Sequence, residues 1–319
     1  IINWVKQRYD LIVTKEVINF VPGIVPGIGM AMNCFTQKGD KVMIQPPVYH
    51  PFAWVTTRNE RTLVINPLRW ENGMYRMDLD AFREQIKGCK LFILCNPHNP
   101  GGVVWTEAEL RAIADICYDE KVLVFSDEIH ADLTLPPHTH RPFATVSEKA
   151  RMNSVTFMSP SKAFNMPGLS ASHALIFNED LRKRFRIYMD AGELDMGHVF
   201  AFLSVEAAYS HGTEWLDQCL AYIQGNIDFV DEFLKKHAPK IKAIRPEASY
   251  LVWLDCRELE LSQKDLNEFF VDKAHLALND GEMFGKEGIG FMRLNVASPR
   301  CIIEKAMKQL ADAYQLYIK

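Results

Sequence analysis

No stretch of this sequence is apolar for long enough to cross a membrane, and no secretory leader is visible in it. It has no C-x-x-C pair. Its seven cysteines, at 34, 89, 95, 117, 219, 256 and 301, are scattered and odd in number, and several sit in apolar runs. That is the pattern of buried reduced thiols rather than a disulfide framework. It suits a reducing compartment, so a cytoplasmic protein is expected. Charge of either sign is not in large excess: 36 Lys and Arg against 40 Asp and Glu leave −4, which gives no reason to expect nucleic acid or an anionic membrane as partner. Internal repeats and low-complexity tracts are missing too. What is there is ordinary for a globular enzyme, 48% hydrophobic and 24% charged. At 319 residues the chain is long enough for one large domain and a smaller one.

From Lys41 onward, short apolar runs alternate with amphipathic stretches. The runs are Val42–Ile44, Leu63–Ile65, Leu91–Leu94, Val122–Phe125, Val155–Met158 and Ala174–Phe177. Between them, Thr106–Tyr118 places Leu110, Ile113, Ile116 and Cys117 on one helical face, and Asp78–Lys87 does the same with Leu79, Phe82 and Ile86. Near-continuous apolar strands alternating with helices predict an α/β fold with a mostly parallel sheet covered on both faces. A long helical region is expected from about Asp180 to Ala238, broken at Gly212-Thr213, with Thr213 as N-cap of Glu214–Phe233. Beyond it, Ser249–Asp255 and Gly290–Asn295 read as strands flanking a helix, Gln263–Lys273, and Ile302–Ile318 as a closing amphipathic helix. The expected division is a large domain over residues 1–215 and a smaller C-terminal α+β domain over 216–319.

The chemistry lies where the strands end. Ser154–Met158 runs into Ser159-Pro-Ser-Lys162, then Ala-Phe-Asn-Met-Pro. A lysine at the mouth of a sheet can condense with an aldehyde, as in pyridoxal-phosphate (PLP) enzymes, and the serines before it can hydrogen-bond a phosphate. Leu91–Leu94 opens into Cys95-Asn-Pro-His-Asn-Pro-Gly-Gly102, and Val122–Phe125 into Ser126-Asp-Glu-Ile-His130. Asp127 is a carboxylate at the end of a buried strand, where open α/β sheets place their ligands. A pyridine ring needs such a group to keep its nitrogen protonated, and Asn99 is a neutral donor suited to the ring's phenolic oxygen. Singly, each has a plainer reading: lysine after a strand is commonly a solvated turn residue, Asp127 suits a helix cap, and Asn99-Pro100-Gly101 suits a turn. Their order along the chain favours the joint reading.

The order NPHNPGG, SDEIHAD, SPSKAFNMPG resembles the fold-type I PLP enzymes, the aspartate-aminotransferase superfamily of class I and II. Within it the chain looks most like the bacterial C–S β-lyase branch, the cystathionine β-lyases of the MalY/PatB type. The branch signs are His130, Asn165-Met-Pro-Gly-Leu, Gly212-Thr-Glu-Trp-Leu-Asp217 and Tyr250-Leu-Val-Trp-Leu-Asp255. The resemblance covers essentially the whole chain. Family members carry an N-terminal arm with a tyrosine that reaches the partner subunit. Here the chain opens at Ile1 inside an expected helix, Ile1–Tyr9, so a truncation relative to the family is expected, a shorter protein being the alternative.

The resemblance implies a site. Pro22-Gly-Ile-Val-Pro-Gly-Ile28 precedes an expected helix, Met30–Phe35; Ile24 and Val25 fall at the family's phosphate-cup positions, acting through backbone amides, with Ser159 and Ser161 adding hydroxyls. Without Lys162 the same segment reads as a Pro-Gly turn. Tyr49, in a proline-held loop, falls at the cofactor-stacking and catalytic tyrosine, although a partly buried loop tyrosine is the plainer reading. His130 matches the branch, with role and tautomer unassigned. Arg293, on an otherwise apolar strand, falls at the arginine that grips the substrate α-carboxylate, with Asn99 beside it; Arg300, after a proline in an expected loop, is the weaker candidate. Lys162 and Asp127 complete the catalytic set. The implied activity is PLP-dependent β-elimination of cystathionine or cysteine S-conjugates to thiol, pyruvate and ammonia by a homodimer. Transamination is the alternative. A lyase with an added regulatory protein-binding role is the second, since one branch member is a repressor that binds a transcription activator.

Overall fold

Alternate burial along single strands dictates the layering. In Cys89–Cys95, Leu91, Ile93 and Cys95 point into one apolar cluster while Phe92 and Leu94 point into another, as side chains of period two must when both sheet faces are covered. The computed structural model describes residues 1–317; Ile318, the last residue of the expected closing helix, lies outside the described residues.

The strands in chain order are β1 (Ile18–Val21), β2 (Lys41–Ile44), β3 (Thr62–Ile65), β4 (Arg69–Glu71), β5 (Met74–Arg76), β6 (Cys89–Cys95), β7 (Leu123–Asp127), β8 (Ser154–Met158), β9 (Ser172–Leu175), β10 (Lys242–Ile244), β11 (Leu251–Asp255), β12 (Asn279–Asp280) and β13 (Phe291–Asn295). Seven form one sheet in the order β1-β9-β8-β7-β6-β2-β3. All run the same way except β9, antiparallel to both neighbours. Helices Ile24–Phe35, Pro51–Arg58 and Glu179–Ala191 cover one face, and Leu79–Gln85 with Glu107–Asp119 the other. The expected mostly parallel sheet is present, with two corrections. The strand expected at Ala174–Phe177 lies at Ser172–Leu175 and is reversed, and β1 adds an edge that the alternation of apolar runs does not mark.

Local chemistry sets the helix starts. Thr106 accepts the Glu109 N–H while the Glu109 carboxylate accepts the Thr106 N–H, a reciprocal cap, and Asp78 caps Leu79–Gln85 through the Ala81 N–H. The helix expected from Met30 starts six residues earlier, at Ile24. Pro26 does not prevent this, because an N–H in the first helical turn has no carbonyl four residues back to bond. The long helical region has a second break: Glu179–Ala191 stops at Gly192, and Val199–His211 starts after His198, whose side chain caps the Ala201 N–H. Thr213 is not an N-cap; it lies inside Thr213–His237, which begins after Gly212 without a side-chain cap. Gln263–Lys273 is an α-helix to Glu268 followed by a π-helical turn, Phe269–Lys273. Arg300 opens the last helix, Arg300–Tyr317, rather than lying in a loop.

The second sheet, β10-β11-β13-β12, is antiparallel throughout and built wholly from residues 242–295. Val252, Leu254, Met292 and Leu294 face the long helices Thr213–His237 and Arg300–Tyr317 in one apolar cluster. That cluster also takes in Trp4 and Val5 of the first helix, Ile2–Tyr9. Trp4 Nε1–H donates to the buried Asp132 carboxylate at 3.0 Å, and the Tyr9 hydroxyl donates to the same group. The first helix is thereby pinned beside the segment that follows β7.

Candidate active site

Three adjacent strands of the large sheet end at one place. β6 ends at Cys95 and continues to Asn99, β7 ends on Asp127, and the chain leaving β8 turns through Ser159-Pro-Ser into Lys162. Strand order reverses between β2 and β6, the position at which open α/β sheets leave a crevice. The loop after β2 brings Tyr49 to it, and β13 of the second sheet brings Arg293. Together they line a cavity of about 450 Å³. Nine of the ten expected residues face it: Ile24, Val25, Tyr49, Asn99, Asp127, His130, Ser161, Lys162 and Arg293.

Ser159 does not line the cavity. It is buried behind it, its hydroxyl 2.7 Å from the Ala171 carbonyl, which it serves as donor, and it accepts the Ser161 N–H at 3.1 Å. Its hydroxyl is thus engaged within the turn that presents Ser161. Arg300, the weaker arginine candidate, faces elsewhere, bonding Asn226 Oδ1 at 2.7 Å and lying over Phe229.

The anion end of the cavity is a helix N-terminus. Gly23, at φ +126°, turns the chain out of β1, a backbone position strained for any residue with a Cβ. As N-cap it brings no side chain to occupy the first helical donors. The Ile24 and Val25 N–H groups and the positive end of a twelve-residue helix thus face the cavity.

At the floor, Asp127 is buried and accepts the Ile129 N–H at 3.1 Å. Burial pushes its carboxyl up to about 7; the Glu128 charge adds to the rise, while the Ile129 bond and Lys162 oppose it. His130 is buried with Nδ1 unpartnered, and burial, then Lys162 and Arg293, lower it to about 3, so its ring is neutral at pH 7. Behind the floor, Glu128 is held by the Ser126 hydroxyl, the Phe143 N–H and His140, whose Nε2 is 2.8 Å away.

Arg293 forms the opposite wall. Nη1 donates to Asn99 Oδ1 at 2.9 Å and Nη2 to Asn279 Oδ1 at 2.7 Å, while Nε is buried without a partner. The guanidinium lies over the Phe284 ring, 4.7 Å from its centroid. Burial lowers its pKa to about 10, so it remains a cation at neutral pH. A half-buried cation with neutral neighbours and a donor to spare has the chemistry to pair with a carboxylate. Asn279 and Phe284 escaped the sequence reading because β12 is two residues long and the segment after it has no periodicity; Tyr250 and Cys95, also lining the cavity, stood inside quoted motifs without a role.

The residues lining the cavity fit the phosphate, ring nitrogen, ring face and aldehyde of the expected cofactor: helix donors and Ser161, the underionised Asp127, the aromatic ring of Tyr49, and the amine of Lys162. The sequence matches the family described as aminotransferase class I and II over residues 1–310. It is 38% identical to cystathionine β-lyase PatB of Bacillus subtilis, over 97% of this chain and 81% of that protein. Its structure is similar to that of cystalysin from Treponema denticola, which contains pyridoxal 5′-phosphate, with TM-score 0.97, 34% identity, and coverage of 100% of this chain and 81% of that one. The PLP-bound C–S lyase of Staphylococcus hominis superposes with TM-score 0.91 at 33% identity, covering 98% and 80%.

Proposed function

The chain belongs to the aminotransferase class I and II family, and from that premise we propose that it is a PLP-dependent carbon–sulfur lyase. It eliminates a thiol from cystathionine or another cysteine S-conjugate and leaves pyruvate and ammonia. The observation that carries the reading is the convergence on one cavity of Asp127 at the end of β7, Lys162 in the turn after β8, and Arg293 from the middle of β13 in the other sheet. The direction of the chemistry, elimination rather than transamination, is supported by relatives named as β-lyases and C–S lyases.

When bound, the cofactor supplies a covalent attachment for the substrate amine and an electron sink for the charge that develops at Cα. The protein's residues do the rest. Arg293, already held as a fork by Asn99 and Asn279, takes the α-carboxylate and fixes which bond at Cα faces Lys162. The Lys162 amine removes the Cα proton as general base. Asp127, whose carboxyl is raised to about 7 in the chain alone, ionises fully against a cationic ring nitrogen and holds the proton there. The Ile24 and Val25 N–H groups and the Ser161 hydroxyl would hold the phosphate, and Tyr49 would offer an aromatic face to the ring. His130 is a neutral neighbour, able to hydrogen-bond without adding charge.

The reading extends to a homodimer, supported by an exposed apolar strip at Met196, Val199, Phe200, Phe202 and Leu203. A cytoplasmic location is supported by seven free cysteines; no helix among the described residues is long and apolar enough to cross a membrane. A boundary at residues 215/216 falls inside the helix Thr213–His237, and the separate second sheet supports it. The activity is tested with L-cystathionine and no keto acid: stoichiometric thiol and pyruvate over many turnovers are expected, and Lys162→Ala abolishes both. A protein that turns over only after a keto acid is added is an aminotransferase, and the elimination reading falls.

A further inference from the structure

The helix Ile24–Phe35 turns its first residues to the cavity, yet none of its twelve residues is charged. Charge is brought to its other end instead. The helix follows β1, one edge strand of the large sheet, and its far end is fastened to Arg61, the residue before β3, the opposite edge. Arg61 is 8% exposed and is taken up by that end. Nη2 donates to the Thr36 carbonyl at 2.7 Å and to that of Met32 at 3.5 Å. Nε donates to the Thr36 hydroxyl at 2.9 Å and Nη1 to Asn33 Oδ1 at 2.8 Å. A second guanidinium comes from the helix Glu179–Ala191. Arg184 Nη2 donates to the Cys34 carbonyl at 3.2 Å, and the group lies over the Phe35 ring.

Among the described residues neither arginine forms an ion pair with a carboxylate. The acids near them pair elsewhere, Glu60 with Lys38 and Glu179 with Lys183. A guanidinium is always charged, and burying one without an anion is costly. What Arg61 meets is the set of carbonyls left unpaired at a helix C-terminus, the seat of the negative half of the helix dipole. One such arginine would be an ordinary cap. Two of them, on a helix whose opposite end faces an anion site, set the whole helix between charges of opposite sign.

We propose that Arg61, supported by Arg184, is a positioning residue for the cofactor's phosphate. From the far end it fixes the helix along its axis, and it adds to the positive potential at the Ile24 and Val25 N–H groups. The proposal rests on the PLP reading and deepens it. Only two permanent cations line the cavity, Lys162 and Arg293, and in that reading the first meets the aldehyde and the second a carboxylate. The phosphate is left to the helix and to hydroxyls. Twelve residues at about 1.5 Å each put Arg61 roughly 18 Å from the phosphate-facing end. The path runs through buried protein, where salt screens little, so the attraction to a dianion is worth about three- to tenfold in affinity.

The test titrates the full chain, freed of cofactor, with PLP and with pyridoxal, which lacks the phosphate, and compares the two dissociation constants. Arg61→Met keeps an unbranched stem and loses the charge. It should cut the preference for PLP about three- to tenfold and leave pyridoxal binding within about twofold. Arg61→Lys, which returns the charge without the fork, should regain most of the preference. A merely structural role would weaken both ligands alike, and that result overturns the proposal. Because Arg61 is buried, a second variant guards against misfolding: Arg184 is exposed, and Arg184→Glu should lower the preference about threefold at low ionic strength. An unchanged preference in every variant that folds overturns the proposal and leaves the PLP reading in place. A wild type that binds PLP no more tightly than pyridoxal removes the phosphate site itself.

Discussion

Replacing Asp127 with Asn should stabilise the cofactor-free protein while disabling it. The carboxyl titrates at 3.8 when exposed and at about 7 in the fold, burial being the main cause. Its folded-state pKa is raised, so between those values the native state holds a proton that the unfolded state has lost, and stability falls as pH rises. Below about pH 4 the group has no effect. The shift of about three units, at about 1.4 kcal/mol each, amounts to about 4 kcal/mol of destabilisation once pH exceeds 7. At pH 5 only the part between 3.8 and 5 has accrued. Asn keeps the shape, carries no charge and still accepts the Ile129 N–H, so the gain over wild type should grow by roughly 2–3 kcal/mol from pH 5 to pH 8. Urea unfolding of the cofactor-free proteins at the two pH values reads this difference directly. In the holoenzyme, Cα-proton exchange should drop by a factor on the order of 10² or more, as expected for removing a preorganised charge. A stability difference independent of pH would refute the burial argument, and undiminished proton exchange would refute the role.

Arg293→Ala should raise KM for every α-amino acid about 10- to 100-fold, the worth of a charge-assisted fork, with a smaller change in kcat; an unchanged KM across several amino acids would place the carboxylate elsewhere. Gly281→Ala probes the tight turn between Asn279 and Phe284. A Cβ there would lie 2.1 Å from the Gly288 carbonyl oxygen and 2.3 Å from that of Phe291, both backbone atoms. A loss of about 1–3 kcal/mol or more is expected. Gly168→Ala, where nothing lies within 4 Å, should leave Tm essentially unchanged, and equal effects of the two substitutions would contradict the packing reason.

Legibility in the sequence followed how locally each feature is determined. β6, β7 and β8 are buried on both faces, so each is a continuous apolar run whose end is marked by the first polar residues, and Asn99, Asp127 and Lys162 at or beyond those ends line the candidate site. The edge strand β1 has no such mark. Its Asn19 is buried yet paired, donating to the Val17 and Ala174 carbonyls and accepting from Arg186, so a strand with a polar centre is stabilised by partners 155 and 167 residues away. The start of Ile24–Phe35 was hidden because Pro26 and Gly27 read as a turn, although a proline costs little in a first turn. Ser159 shows the same limit at the level of one side chain. Its residue type is right for binding phosphate, but the Ala171 carbonyl twelve residues on claims its hydroxyl.

The pieces absent from the sequence reading, Asn279 and Phe284, explain why the second sheet belongs to the site at all. The large sheet's side holds half-buried Arg293 only in part, since Asn99, from the loop after β6, engages one of its two terminal nitrogens. Asn279 engages the other from β12, paired directly opposite Arg293 on β13, and Phe284 supports the guanidinium plane. The Arg293 guanidinium is therefore held jointly, by Asn99 from the loop after β6 and by Asn279 from β12, and its orientation depends on how the two sheets sit. Val48 N–H to the Phe284 carbonyl is a backbone bond across the same junction. A substitution that loosens this junction, such as Gly285→Ala against Pro46, should weaken α-carboxylate binding without touching any group that meets the substrate. KM should rise with the pH profile of kcat unchanged. A shifted profile would mean that the junction acts on Lys162 or Asp127 instead.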